Sequence, residues 1–255
     1  MSNTVLCRGC RKNMIELQDI TLKYLDTKGQ ITVLDVFNFS IQEHEFVSLV
    51  GPSGCGKTTI VNILAGYIAP AAGKVLIDKK IVTAPGKNRI VISQENDLFE
   101  WLTVFENIQL VAKDKSPHNV KRYIQIAHLE NFEHAYPTQL SGGMKKRLSL
   151  VRALSADPAF IIMDEPFSSL DIAIKEKMHE EVLAIVKKSN KTVLLVTHDV
   201  EEAIFLSDRV VVLNGPPVAI KDELEVPFAH PRGQVLRDTP EFIALKNQIN
   251  IRQKE

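Results

Sequence analysis

The stretch "FVSLVGPSGCGKTTIVNILAGY" constrains this chain more than any other. A short run rich in Val and Leu gives way to a turn with glycines at 51, 54 and 56, and then to a pattern of helical period. Gly51 to Thr59 satisfies the spacing G-x-x-x-x-G-K-[ST], which requires a strand before it and a helix after it. Both are expected here. The backbone N–H groups of such a loop, aimed by the following helix, cradle phosphates. Lys57 is placed to neutralise the β and γ oxygens, and Thr58 to hold Mg²⁺.

Other apolar runs end as abruptly: "RIVIS" before Gln94, "FIIM" before Asp164 and "TVLLVT" before His198. Short Val- and Ile-rich runs with helical patterns between them predict buried strands of a largely parallel sheet. Ligands bind beyond the carboxyl ends of such strands, so the polar endings are expected to gather at one edge. Asp164 is placed to complete a Mg²⁺ shell, and Glu165 to orient or deprotonate a water attacking the γ-phosphate. Between the last two runs, Ile174, Met178, Val182, Ile185 and Val186 form one helical stripe, read as core packing.

"QLSGGMKKRLSLVRAL", Gln139 to Leu154, reads as a second phosphate-holding element. Ser141 is a helix cap, Gly142 and Gly143 allow close approach of backbone to ligand, and Lys145, Lys146 and Arg147 add positive charge. Upstream, "MIELQDITLKYLD" and "ITVLDVFNFSIQEHE" alternate around "TKGQ" as antiparallel strands do. From about Phe99 to Arg152 the patterns are mostly helical, and residues 97–153 are read as an inserted helical subdomain. His118, His128, His134 and His230 show no ligand spacing and are read as surface residues.

Equal numbers of basic and acidic residues, 31 each, give no global footprint for nucleic acid, and none is expected as a partner. No apolar run approaches the roughly 18 residues of a membrane span, and the first residues lack a secretory core, so a cytoplasmic location is expected. Cys7 and Cys10 have the spacing of half a zinc site without a second pair, which leaves residues 1–13 as a flexible tail.

In order and spacing these motifs resemble the nucleotide-binding subunit of an ATP-binding cassette (ABC) transporter. "GPSGCGKTT" is similar to the family's phosphate loop, "FIIMDEP" to its Walker B strand, "LSGGM" to its signature motif and "SSLD", ending at Asp171, to the loop that crosses to a second subunit. Gln94 matches the lid glutamine, His198 the switch histidine, and Tyr24 the aromatic that stacks on adenine. The resemblance implies an α/β P-loop NTPase fold spanning residues 14–245, with a RecA-like, mostly parallel core, an N-terminal antiparallel β subdomain and the inserted helical subdomain.

It also implies roles. Glu165, His198 and Gln94 would be catalytic, and Thr58, Gln94 and Asp164 would hold Mg²⁺. Tyr24, Gly51, Pro52, Ser53, Gly54, Cys55, Gly56, Lys57, Thr58, Thr59, Ser141, Gly142, Gly143 and Asp171 would contact ATP. In the family two copies face head to tail, so Ser141 to Gly143 would cover the nucleotide held by the partner's loop. Such a homodimer drives separate permease subunits, peripheral on the cytoplasmic face of the membrane, fed by an extracytoplasmic substrate-binding protein. "FEWLTVFENI" and "EEAIFLSDRVVVL" resemble the nitrate, sulfonate and taurine importer group, as does Met144 where the common signature has Gln. Trp101 is placed where a permease docks, or packs within its own lobe. The rival classes are a soluble ABC clamp acting on ribosomes or DNA, and a small-molecule kinase, which needs neither "LSGG" nor "SSLD".

Overall fold

Strands whose every residue is apolar or small belong between two layers, and the computed structural model, which describes residues 12–26, 29–93, 97–168 and 170–254, places them so. The strands are β1 (Asn13–Asp26), β2 (Gly29–Gln42), β3 (Phe46–Val50), β4 (Ala72–Ile77), β5 (Lys80–Ile81), β6 (Arg89–Ile92), β7 (Phe160–Asp164), β8 (Thr192–Val196), β9 (Arg209–Asn214) and β10 (Ala219–Glu225). Six form one sheet in the order β10-β9-β3-β8-β7-β6, parallel except for β10 at one edge. β3 and β8 are buried throughout.

Alternation along these strands divides the core in two, because successive side chains point to opposite faces. Val47, Leu49, Ile162 and Leu194 join the cluster under the second sheet, together with Ile60 and Leu64 of α1 (Lys57–Ala65). Phe46, Val50, Met163 and Leu195 join the cluster under the remaining helices. These are α2 (Val104–Val111), α3 (Pro117–Ile126), α4 (Gly142–Ser155), α5 (Ile172–Lys188), α6 (Val200–Leu206) and α7 (Pro240–Lys254). Met178, Val182, Ile185 and Val186 of α5 are buried there and Ile174 packs against them, as its stripe predicts.

The second sheet, β2-β1-β4-β5, is antiparallel and holds the predicted pair of alternating strands, but it recruits β4 and β5 from beyond α1. Strand β9 is likewise absent from the runs picked out above. It lies beside β3 opposite β8, so the phosphate loop emerges from the middle of the sheet.

The helix starts follow from side-chain caps. Thr103 and Glu106 make a reciprocal capping box at α2, Ser116 caps α3, Ser141 caps α4, Asp171 caps α5 and Asp199 caps α6.

The amino-terminal edge of the sheet is closed by charge. Asp208 accepts from the Phe46 backbone N–H, from Lys187 Nζ at 2.7 Å and pairs with His230 Nε2 at 3.1 Å. Of the histidines read as surface residues, His118, His128 and His134 are exposed. His230 is not, because it closes this acid cluster. Cys7 and Cys10 lie outside the described residues; Lys12 pairs with Asp78 at 2.7 Å, and Asn13 opens β1.

Candidate nucleotide site

The turn after β3 is held in a form that side chains oppose. Gly54 and Gly56 have φ of 79° and 106°, and a Cβ on Gly56 would fall 2.4 Å from Val218 Cγ2. Gly56 caps α1 without a side chain, so the first N–H groups of the helix keep no covering group. Lys57 is buried beneath the loop and donates from Nζ to the carbonyl oxygens of Gly51 and Pro52, each at 2.8 Å, with Cys55 Sγ at 3.9 Å. The oxygens bonded to that ammonium are neutral carbonyls, and charge-assisted bonds to an arriving phosphate are about twice as strong.

The carboxyl end of β7 supplies acid to the same place. The Thr58 hydroxyl lies close enough to the Asp164 carboxyl to favour its ionised form, so the two expected metal ligands are neighbours. Burial pushes Asp164 above the ordinary carboxyl range, with Glu165 adding to it, while Thr58, Lys57 and Lys146 pull it back. A hydroxyl and one carboxylate are the hard oxygen donors that suit Mg²⁺, which binds protein through few groups and takes the rest from phosphates and water. Among the described residues there is no cluster of three His, Cys, Asp or Glu that would hold a metal unaided. Gln94 lies outside the described residues.

Glu165 departs from the strand with φ of 49°, a left-handed conformation costing about 1–3 kcal/mol for a residue with a side chain. It is pinned from both sides: its N–H donates to Val196 O at 2.9 Å, and its carbonyl accepts the Ser168 hydroxyl at 2.8 Å. This bend brings Glu165 Oε1 to 3.2 Å from Nδ1 of His198, which stands exposed beyond β8. Two sequence-distant strand ends are thereby joined at one point.

The second element differs in part from its reading. Ser141 Oγ accepts the Met144 N–H at 3.3 Å, and Ser141 and Gly142 are exposed at the start of α4. Lys146 and Arg147, however, are buried and turned away from that opening. Successive helical residues are rotated by about 100°, so adjacent cations cannot all serve one end. Arg147 Nη1 donates to Ala127 O at 2.8 Å and His128 O at 3.3 Å, tying α4 to the end of α3. Lys145 faces Glu100 at 3.5 Å, and Lys146 lies in the field of Asp164 and Glu165. The opening itself is left to Ser141, the glycine backbone and the helix terminus. Asp171 is exposed and spends one oxygen on the Ile174 N–H at 3.0 Å; Tyr24 is exposed on β1.

Comparison with known proteins decides what this combination is. A family model described as ABC transporter matches residues 34–168. The chain belongs to the ABC transporter family. It is an ATP-binding ATPase subunit of that family, without a helix among its described residues long and apolar enough to cross a membrane. The nitrate import ATP-binding protein of Synechococcus elongatus is 38% identical over 87% of this chain and 84% of its own length. The aliphatic sulfonates import ATP-binding protein of Bacillus thuringiensis is also 38% identical, over 86% of this chain and 89% of its own. A dimeric ATP-binding cassette solved in a post-hydrolysis state with ADP and phosphate superposes with a TM-score of 0.75 at 29% identity, over 85% of this chain and all of that one.

One contributor to the site lies outside the motifs: Val218, whose side chain stands against Gly56. Lys146, from the second motif, brings its charge toward the acid pair from α4 instead of toward its own helix tip. A helical wheel shows that positions 145 to 147 diverge, but it does not show which neighbours each one meets.

Proposed function

We propose that this chain is the ATP-hydrolysing subunit of an importer for a small solute, working as a head-to-tail homodimer on separate permease subunits. The observation that carries the reading is the placement of two phosphate-binding elements. One lies on β3 and α1. The other, Ser141 and Gly142, opens to solvent at the tip of α4, which packs on α2, α3 and β6. A Cβ at Gly142 would meet nothing within 4 Å, so the tip is open to a second molecule. The likeness to a dimeric cassette solved in a post-hydrolysis state supports a dimer here.

In this mechanism the loop from Gly51 to Thr59 wraps the phosphates, and Tyr24 stacks on the adenine. Lys57 leaves its carbonyl partners to bind the β and γ oxygens. Thr58, Asp164 and Gln94 would hold Mg²⁺, which would neutralise charge on the phosphates. Glu165, held in its left-handed bend, aligns the attacking water and takes its proton, and His198 fixes that carboxylate from the other side. Ser141, Gly142 and Gly143 of the partner copy close over the γ-phosphate, with Asp171 crossing between copies.

The unit that does this is residues 14–245, with 97–153 as the helical subdomain. Trp101 projects from that subdomain at 72% exposure, with its ring tilted against that of Phe99 at 5.5 Å between centroids. A Trp displayed this way suits an interface anchor for the permease, at the cytoplasmic face of the membrane. Two relatives equally identical to this chain serve nitrate and sulfonates, which supports small anions as a class and no single solute. Co-expression with permease subunits of importers of this family tests the reading. The chain should co-purify with permease, and Trp101→Ala should lose it while keeping ATPase activity; recovery of ribosomes or DNA instead would contradict transport.

A further inference from the structure

The space beside Glu165 and His198 continues inward as a cavity of about 230 Å³ that reaches Lys175, Asp199 and Glu202. Glu202, on the first turn of α6, is 2% exposed. Lys175 of α5 bridges both acids, 2.5 Å from Asp199 and 3.2 Å from Glu202. Behind Glu202 lies His179, wholly buried, its Nε2 3.9 Å from the carboxylate and its ring edge-on to Phe167. His179 Nε2 and Glu202 Oε1 are both buried without a hydrogen-bond partner. Polar atoms in that state are costly, and nothing in the nucleotide mechanism above uses them.

The other ring nitrogen shows how the pair is set. Arg237 Nη2 lies 2.9 Å from His179 Nδ1. A guanidinium only donates, so Nδ1 must offer its lone pair and the neutral ring carries its proton on Nε2, facing Glu202. Burial pulls the His179 pKa down to about 3, helped by the charges of Arg237 and Lys175, so the ring stays neutral. Arg237 belongs to the turn Gln234–Asp238 just before α7 and also lies 3.6 Å from Glu201, which Lys246 of α7 holds as well.

We infer that Glu202 is a positioning residue for the His198–Glu165 pair, held by Lys175 and backed by the neutral ring of His179, whose Nε2–H faces it at 3.9 Å and whose tautomer Arg237 sets from the C-terminal segment. This rests on the proposed roles of Glu165 and His198. The link is short: Asp199 caps α6 through the N–H groups of Glu201 and Glu202, and its own N–H bonds Thr197 Oγ1. Moving Lys175 off Asp199 therefore moves the turn that carries His198. Burial raises Glu202 to about 7, with Asp199 acting the same way and Lys175 and His198 against it. The Glu202 carboxyl is therefore ionised above that pH and protonated below it, while Lys175 and Asp199 stay charged on both sides.

The test uses the whole chain labelled in its histidines, with His179 assigned by substitution, and reads the ring tautomer by carbon and nitrogen shifts from about pH 6 to 8. Wild type should show the Nε2–H form throughout, and Arg237→Ala should show a ring that titrates or exchanges tautomers. Glu202→Gln, which keeps the shape, should lower kcat about tenfold with KM for ATP within about twofold, and should flatten the kcat profile near pH 7. A proton on Nδ1 in wild type overturns the inference, as does a lowered melting temperature with an unchanged profile. Normal turnover in both variants beside an inactive Glu165→Gln overturns the positioning claim alone. Normal turnover in Glu165→Gln overturns the underlying roles as well.

Discussion

Glu165→Gln removes a base without removing a shape. The side chain keeps its length, the backbone bonds to Val196 O and from Ser168 do not involve it, and the left-handed bend persists. What is lost is the carboxylate that faces His198 at 3.2 Å and would take the proton of the attacking water. Loss of a general base lowers rates by about 10²–10⁴. That corresponds to about 2.7–5.4 kcal/mol of transition-state stabilisation, at 1.36 kcal/mol per decade. Nucleotide binding should survive, because Lys57, Thr58 and the glycine loop are untouched. The assay measures steady-state phosphate release beside equilibrium ATP binding, with size exclusion in ATP to detect dimer. Turnover within about tenfold of wild type would refute the assigned base. Loss of ATP affinity would show instead that the acid belongs to the binding shell.

Two further predictions concern how the site is held. Asn107 is fully buried and clamps the loop carrying Trp101, donating to Phe99 O, Leu102 O and Thr103 O and accepting from the Phe99 N–H. Asn107→Ala should cost about 2–4 kcal/mol, read as a lower melting temperature with proteolytic nicking between residues 99 and 103. Asp208 is held well below the ordinary carboxyl range, against its burial, by His230, Lys187 and the Phe46 N–H. A depressed carboxyl stabilises fully above its unfolded pKa of about 4 and loses that contribution as pH falls below it. Asp208→Asn should therefore cost about 2 kcal/mol at pH 7, less than a fully buried pair because both partners are near one-third exposed, and the gap to wild type should close in acid titrations of urea unfolding.

The parts legible in the sequence were those whose cause is local. Phe46–Val50 and Phe160–Asp164 read as buried strands because each is a short, mostly apolar run ending in a polar turn, and Ser141 read as a helix cap from the motif around it. The order of strands was not legible, because β4 and β5 join β1 across an intervening helix and β9 returns beside β3 from far along the chain. Lys146 and Arg147 were misread because a run of cations carries no sign of which helix face turns inward. His230 was misread because its partner, Asp208, lies 22 residues earlier, in the turn just before β9. The clamp of Lys175, His179, Glu202 and Arg237 draws on α5, α6 and the segment before α7, so no window of sequence contains it.

The central claim is that each ATP site is built from two copies, and mixing two inactive variants tests it directly. Lys57→Ala breaks the loop, and Ser141→Arg blocks the tip of α4. Equal mixing gives about half mixed dimers, in which one site carries both lesions and the other carries neither. The account predicts one trapped nucleotide per mixed dimer in a Glu165→Gln background, and about a quarter of wild-type ATPase activity without that change if the sites fire independently. No trapped nucleotide in the isolated mixed dimer would contradict it, since sites built within single chains would all be broken.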